Sequence, residues 1–562
     1  MNILFILDRN ESPLFEGATR LLRGHALTLA EFRNDTDGAW FPQNETSESP
    51  ENFAFAAGRW SEQPNAAKPG HFPDGCWLAL TFDRRSDELS VRSDPFLQSR
   101  WYWSMIGPAL VISNSLQSIW KKFGKSLRLD RELAPKLLRY GYLPNTLTPL
   151  ENVVSLRSGQ TLHFRNAQIE IAQTDVVPPV RTARHVSTEE LRDVLFEAVR
   201  REIGAAQRVI VPISGGMDSR VLLRMALDIL PREAIHTITF GHPGSLDFRI
   251  GQHVAQALGV TNSALPMDSR PLPALAGENF KVGEGMFWGV PEYPVQPLRD
   301  ALPQDSVVLS GYIGDVVFGS FEPDEEFADS GAARRYLEET VVSVSDKTMR
   351  QLLADSTPMN FDETSIGEDS SPLRHYEAFI YGSHQMNRTN FGLFVHRDKA
   401  VFCAPYVHAD VLRVAYSLFP EERRGERAFF RMIREHYPEL WKLPLKSSFG
   451  YPAELRYARR TVLVRTWRKM LADIDQTVGA SLGTILYRHP RLNYSHPREW
   501  LAKPHRKFVL ECFDRLTRFA TLNASAIEKL RTRIAAGKAV DPSLLKGLIT
   551  LAQWDEYYGS EA

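Results

Sequence analysis

Between Arg208 and Leu230 the chain reads RVIVPI, then SGGMDS, then RVLLRMALDIL. A β-branched apolar run is followed by a turn with two glycines and then by an apolar stretch at helical spacing. A strand that passes so directly into a helix needs a crossover to reach its neighbour, so this region is predicted to build a parallel sheet. The flanking segments agree. Ser187 and Glu190 form a capping box, and Leu191, Val194, Leu195, Ala198 and Val199 follow at helical spacing. AIHTITF (234–240) reads as the next strand, and a second helix runs to Gly259. Strand–helix alternation predicts an α/β, doubly wound sheet with helices on both faces.

The turn itself carries chemistry. Gly215 and Gly216 let the backbone approach a ligand closely, Ser214 and Ser219 offer hydroxyls, and the helix start supplies unpaired N–H groups. This is a phosphate cradle. Asp218 inside it would repel phosphate unless a cation such as Mg²⁺ bridged the two. The competing reading is a glycine-rich turn in which Asp218 only caps the helix. A second stretch, VVLSGYIGDVVFG (Val307 to Gly319), is a short β-branched run ending at Ser310 and Gly311, with Asp315 in the turn beyond. Ligands of parallel sheets gather past the carboxyl ends of the strands, where Asp218 and Asp315 would meet and hold Mg²⁺. Two imitations are set aside. Gly124-Lys125-Ser126 ends like a Walker loop but has Ile119 in place of its first glycine. Gly283-Glu284-Gly285 with Gly289 follows no strand and opens no helix, so it reads as a loop.

Length and composition bound the rest. The 562 residues exceed a single core, so at least two domains are expected. Residues 1–175 are β-rich, with strands at ILFIL, CWLALTF, LSVRS and ALVISN, a turn at DRRSDE, a helix from about Arg131 to Tyr140, and further strands around Ser158-Gly159. A Pro-containing linker leads to a second domain, 187–562, that is mainly helical beyond about residue 325. The formal charge of −1 gives no basis for a nucleic-acid partner. No apolar run is long enough to span a bilayer, so no membrane partner is expected. The amino-terminal MNILFIL lacks a basic region and a cleavage site and reads as a strand. Cys76, Cys403 and Cys512 are too few and scattered for a disulfide framework. The expectation is a soluble, cytoplasmic protein.

These residues carry a resemblance to the asparagine synthetase superfamily. SGGMDS matches the family's SGGxDS pyrophosphatase loop, and SGYIGDVVFG resembles its SGxGxDExFGG element. PYVHADVLRVAYSLFP (405–420) is similar to the family's PFLD segment, and PLKSSFGYP (444–452) to its late lysine loop. DPFLQSRWYW (94–103), ALVISNSLQSI (109–119) and RYGYLPNTLTPLENVVSLRSGQTLHF (139–164) are similar, in order, to segments of the amino-terminal glutaminase domain. The resemblance implies an Ntn-hydrolase-like α+β domain followed by a PP-loop ATP-pyrophosphatase domain with a helical carboxyl-terminal part. It implies ATP held by Ser214, Gly215, Gly216, Asp218, Ser219, Ser310 and Gly311, and Mg²⁺ held by Asp218 and Asp315. Lys446 would stabilise the charge that develops as an acyl-adenylate collapses.

Two departures from the family pattern bear on the reaction. Glutamine-hydrolysing members carry a nucleophilic Cys directly after the initiator Met, whereas Asn2 stands here and Cys76 reads as a buried small hydrophobe. Tyr312 replaces the Glu common in asparagine synthetases and matches the Tyr of β-lactam and carbapenam synthetases, where it helps deprotonate an amine. The downstream carboxylate of that group has no match near His384-Gln385-Met386, which leaves Glu377 or His384 as candidates. Asp247 resembles the acid that opens the family's second helix, although capping alone would explain it. The basic run from Arg456 to Lys469 reads as a solvated helix with two charged faces, with Leu463 and Trp467 between them.

The resemblance therefore implies an AMP- and pyrophosphate-releasing ligase. It would join a carboxylate to an amine of the same or a co-bound small-molecule or peptide substrate. Lasso peptide macrolactam cyclases, with a precursor peptide and processing protease as partners, and β-lactam synthetases are the models. An enzyme using free ammonia or a separate glutaminase, and a non-catalytic binding homologue, are the alternatives.

Overall fold

The computed structural model describes residues 3–8, 19–22, 28–33, 43–49, 52–60, 74–96, 100–174, 183–267, 272–288, 295–303, 306–323, 326–355, 357, 372–390, 400–455, 458–479, 482, 484–492, 503–538 and 540–559. Asn2, Arg456 and Gly289 lie outside these residues, as does the side chain of Cys76, whose backbone belongs to a strand.

The amino-terminal region is two antiparallel sheets. The strands are β1 (Ile3–Asp8), β2 (Thr19–Leu22), β3 (Thr28–Arg33), β4 (Gln43–Glu48), β5 (Asn52–Trp60), β6 (Gly75–Asp83), β7 (Glu88–Ser93), β8 (Tyr102–Ile106), β9 (Ala109–Ser113), β10 (Val153–Ser155), β11 (Gln160–Arg165) and β12 (Gln168–Gln173). They are ordered β10-β8-β9-β1-β3-β2 and β12-β11-β7-β6-β5-β4. The expected DRRSDE turn joins β6 to β7, and Asp87 in it takes the left-handed conformation (φ 55°). Alternation decides which side chains meet. Leu78, Leu80 and Phe82 of β6 share a core with Leu110 and Ile112 of β9, so the sheets pack face to face. Ala109 and Val111 point the other way, onto helices α1 (Leu116–Phe123) and α2 (Ala134–Tyr140). Burial on both faces explains why β9 reads as an unbroken apolar run.

The same helical layer includes the end of the chain. Helices Lys503–Arg515, Ala524–Ala535 and Pro542–Tyr558 share the core of α1 and α2. Trp554 donates Nε1–H to the Gly285 carbonyl at 2.8 Å, and a Cβ at Gly285 would stand 2.5 Å from that nitrogen. The Gly283–Gly285 run is thus a packing junction. Buried Asp555 ties Arg131 and Arg518 together at 2.7 Å each, linking the amino-terminal region to the last helices.

Residues beyond 187 build the parallel sheet. Its strands are β13 (Val209–Pro212), β14 (Ile235–Gly241), β15 (Thr261–Pro266), β16 (Ser306–Leu309) and β17 (Ala400–Cys403), ordered β15-β14-β13-β16-β17 with every pair parallel. Helices α3 (Thr188–Ile203), α4 (Asp218–Ile229) and α5 (Leu246–Ala257) share a core with Val209 and Val211. Leu298 and Leu302 cover Ile210 and Val308 on the opposite face. Ser187 caps α3 by accepting the Glu190 N–H at 3.1 Å, as its capping box predicts. In α4, Val221, Leu222, Leu223 and Met225 are all fully buried, so truncating Leu222 to Ala would cost roughly 2–5 kcal/mol. The chain runs from β13 outward to β15 and then returns to β16 on the other side of β13. That reversal makes a switch point between β13 and β16, the two strands that lead into SGGMDS and SGYIGD.

Arg459–Ile474 is a single and largely exposed helix, with Arg459, Arg460, Arg465 and Lys469 exposed as expected; Leu463, Trp467, Met470 and Ile474 are exposed along it as well. Arg468 lies on the inner side, its guanidinium carbon 5.9 Å from the Phe449 ring centroid.

Candidate active site

The SGGMDS turn leaves β13 and enters α4 at Asp218. Its conformation is held from within. The Gly216 N–H donates to Ser214 Oγ at 3.2 Å, and the Ser214 N–H to Ser219 Oγ at 3.3 Å. Arg220, buried beneath the turn, donates to the carbonyls of Gly216 (2.8 Å), Gly215 (3.3 Å) and Pro444 (2.9 Å). Burial lowers this guanidinium's pKa to about 10, so it stays charged at neutral pH. With the carbonyls drawn inward, the turn is fixed as a rigid cradle.

The second turn arrives beside it. Gly311 lies so near α4 that a Cβ there would stand 3.3 Å from Asp218 Cβ, and one at Gly314 would stand 3.0 Å from Asp218 Oδ1. Between these glycines Ile313 has φ 48°, a left-handed conformation that is costly for a β-branched residue. The strained turn delivers Asp315 to the same end of the sheet. Asp218 and Asp315 are both half-buried, and both carboxyl pKa values are raised. For Asp218 burial acts first, followed by the Asp315 and Glu426 carboxylates; for Asp315 burial dominates. Asp218 Oδ1 has no hydrogen-bond partner among the described residues. A half-buried, repelling carboxylate pair with an orphaned oxygen fits a divalent cation. No cluster of three potential ligands occurs among the described residues, so phosphate oxygens and water would complete the shell of Mg²⁺, which favours that mixture.

Lys446 reaches the cradle from the late loop. Its backbone N–H donates to the Gly215 carbonyl at 2.9 Å, and its ammonium pairs with Asp247 Oδ2. Asp247 Oδ1 accepts the Gly215 N–H at 2.9 Å. Ser245 caps α5 by accepting the Phe248 N–H, so Asp247 is released from capping and bridges the cradle to Lys446. The close fit leaves no room at Gly215, where a Cβ would stand 2.9 Å from Lys446 Cβ.

Tyr312 points toward the amino-terminal region. Its buried hydroxyl has no hydrogen-bond partner among the described residues. Burial and the Asp94 carboxylate raise its pKa well above the usual phenol range, with Arg100 opposing them. Both candidate base partners are otherwise engaged. Glu377 accepts from Arg423 at 2.8 Å in a buried cluster with Glu322. His384 lies in a π-helical segment, Ile380–Thr389, with Nδ1 3.4 Å from the Tyr142 hydroxyl. Burial lowers its pKa to about 3, aided by Arg388, which makes it a neutral, weak base.

Residues 190–387 match the Asparagine synthase family. Two curated proteins are similar to this chain. One, from Methanocaldococcus jannaschii and provisionally named glutamine-hydrolyzing asparagine synthetase 2, is 22% identical over 263 residues, 44% of this chain and 50% of that protein. The other, glutamine-hydrolyzing asparagine synthetase 1 of Bacillus subtilis, is 20% identical over 254 residues, 44% of this chain and 40% of that one. The chain thus spans half or less of each relative's length. Among solved structures, glutamine phosphoribosylpyrophosphate amidotransferase from B. subtilis with ADP and GMP overlays 57% of this chain and 77% of that one, at 12% identity and a TM-score of 0.20. An allosteric regulatory enzyme of purine biosynthesis overlays 48% and 82%, at 10% identity and the same TM-score. Scores this low establish no shared fold.

The asparagine synthase match contains the cradle, Asp247, Tyr312 and Asp315 and stops inside the π-helical segment. Lys446 lies beyond it, as do two residues that sequence reasoning did not single out. Tyr406 donates its hydroxyl to the Asp218 carbonyl at 3.0 Å, and Glu426 is close enough to raise the Asp218 pKa. Tyr406 stands within the PYVHAD segment and was open to notice. Glu426 is a left-handed residue (φ 62°) in a basic stretch, with no local signal of its destination.

Proposed function

We propose that this protein is an ATP-dependent ligase that activates a carboxylate as its adenylate and closes an amide, releasing AMP and pyrophosphate. The observation that carries the reading is the half-buried Asp218–Asp315 pair, with Asp218 Oδ1 shielded and unpartnered among the described residues, at a switch point beside a glycine cradle. Ser214, Gly215, Gly216 and Ser219 would bind the pyrophosphate portion of ATP, and the backbone at Ser310-Gly311 would face the nucleotide. Asp218 and Asp315 would hold Mg²⁺, which when bound supplies positive charge to the phosphate oxygens. Lys446, fixed by Asp247, would stabilise charge as the adenylate collapses and AMP leaves. Tyr312 is a neutral phenol in its buried setting, so it would orient the attacking amine or relay its proton without carrying a standing negative charge.

No thiol stands in the first 75 residues, since Cys76 is the first of the three cysteines. A scaffold without a thiol nucleophile supplies no ammonia from glutamine, which favours an amine already present in the substrate or a co-bound molecule. Holding both ends together then replaces a diffusing nucleophile by effective molarity. A lasso-type macrolactam closure or a β-lactam synthetase-like closure fits this description, with a small molecule or precursor peptide as substrate. The names of the two curated relatives favour a second reading, asparagine-type synthesis from free ammonia or a separate glutaminase.

The full chain, incubated with ATP, Mg²⁺ and candidate substrates, is to be followed by mass spectrometry. Loss of one water from a single substrate, with AMP, supports closure. Amide formation only with added ammonium supports the second reading. No consumption of ATP with any carboxylate would remove both.

A further inference from the structure

Among the described residues eleven large hydrophobic side chains are exposed, and eight of them lie between positions 462 and 486. Single exposed hydrophobics are ordinary, whereas their concentration in one segment marks an interaction surface. Leu463, Trp467, Met470 and Ile474 recur at intervals of four, three and four, which aligns them on one stripe of the helix Arg459–Ile474. The helix rests on the protein by the side that carries Thr461, which is buried, and Val464, Arg468 and Ala472, which are half-buried. The stripe lies off that side and is exposed, Leu463 to 70% and Trp467 to 55%. Val478, Leu482 and Leu486, which follow the helix in sequence, are exposed as well.

Charge selects the occupant. Arg459, Arg460, Arg465 and Lys469 are exposed on this helix against a single exposed acid, Asp473. Arg459, Arg465 and Lys469 form no ion pair with any described acid. A second copy laid stripe to stripe would bring two cationic helices together, which like-charge repulsion opposes. An outward ridge with Trp at its middle and cations beside it has the composition of an interfacial amphipathic helix. We propose that this helix docks on an anionic bilayer surface, with Leu463, Trp467, Met470 and Ile474 at the headgroup boundary and the flanking Arg459 and Arg460 on lipid phosphates. No described helix is long and apolar enough to cross a membrane, so the contact is peripheral. It is independent of the reaction proposed above, although the inner side of the helix bears on Phe449, in the loop that carries Lys446.

The test is co-sedimentation of the full chain with phosphatidylcholine vesicles, with or without one-third phosphatidylglycerol. Binding to the anionic vesicles is expected, at least about tenfold weaker without phosphatidylglycerol and weakened further by salt. Trp467→Ser with Met470→Ser should weaken it about tenfold or more, since two apolar side chains are withdrawn. Arg459→Gln with Arg460→Gln should weaken it roughly thirtyfold, at about 1 kcal/mol per charge. All four positions are exposed, so circular dichroism and ATP turnover should match the wild type. Absence of wild-type binding, or binding by both double variants as tight as the wild type's, overturns the proposal. So does a wild-type dimer that ignores vesicles and becomes monomeric in the Trp467→Ser, Met470→Ser protein, because that outcome assigns the stripe to a second copy.

Discussion

Two groups of carboxylates in the parallel-sheet region are built in opposite ways. Glu322 and Glu377 share the Arg423 guanidinium at 2.6 and 2.8 Å, and that guanidinium stacks 3.9 Å from the Tyr416 ring centroid. Asp218 and Asp315 face each other with Glu426 as a further negative neighbour. The first group contains its own counter-charge in Arg423. The second is held in place by glycine turns and a strained Ile313, and it carries a repulsion that the folded chain does not relieve. Burying charge without compensation is costly, so a chain that keeps such a pair points to a cation that arrives with the ligand. These acids therefore divide into those that serve the fold and those that serve the reaction.

Substitutions can break that division. Asp315→Ala should reduce pyrophosphate release by roughly 10³-fold or more while leaving the melting temperature unchanged or raised, because it removes a repulsion; near-normal turnover would refute the metal assignment. Lys446→Met should lower turnover by roughly 10²-fold with little change in melting, measured on the same substrate. Arg423→Ala should do the reverse, costing about 3–5 kcal/mol in denaturant unfolding because Glu322 and Glu377 are left buried without a partner. If that variant proved inactive but fully stable, the structural role of the cluster would be wrong.

The pH response is a smaller effect with a definite sign. Both aspartate pKa values are raised above 3.8, so above that pH the folded chain binds more protons than the unfolded one. The contribution of the pair is fully present below 3.8 and is lost as pH rises through the raised values. Melting of the nucleotide-free protein should therefore fall with rising pH over this window, by roughly 2 °C or more, and Asp315→Asn should flatten the trend. Mg²⁺ with a non-hydrolysable ATP analogue should raise the melting temperature more at the alkaline end than at the acidic end. A gain independent of pH would separate the carboxylates from the metal.

The parts of this site legible in the sequence are those set by local pattern. SGGMDS between a strand and a helix, and Asp315 after a second strand, declare their geometry because turn and helix start follow from adjacent residues. The amino-terminal strands were legible where one run alternated or was bounded by turns, as in β6, β7 and β9. What was not legible depends on residues far apart in the chain. Asp247 reads as a cap until Ser245 takes that role and Lys446, 199 positions away, pairs with it. Arg100 gives no sign that it donates to the Asn387 carbonyl at 2.5 Å, across 287 positions. In the charged helix at 459–474 the exposure of Arg459, Arg460, Arg465 and Lys469 was legible, whereas the inward turn of Arg468 onto Phe449 was not, because periodicity shows which residues share a face but not which face is turned outward.

The most direct test of the central claim is the fate of ATP labelled at the α-phosphate, with Mg²⁺ and a carboxylate substrate, in the wild-type and Asp315→Ala proteins. AMP and pyrophosphate formed in equal amounts by the wild type, and neither by the variant, is the predicted result. ADP and inorganic phosphate as products, or undiminished AMP from the variant, would contradict it.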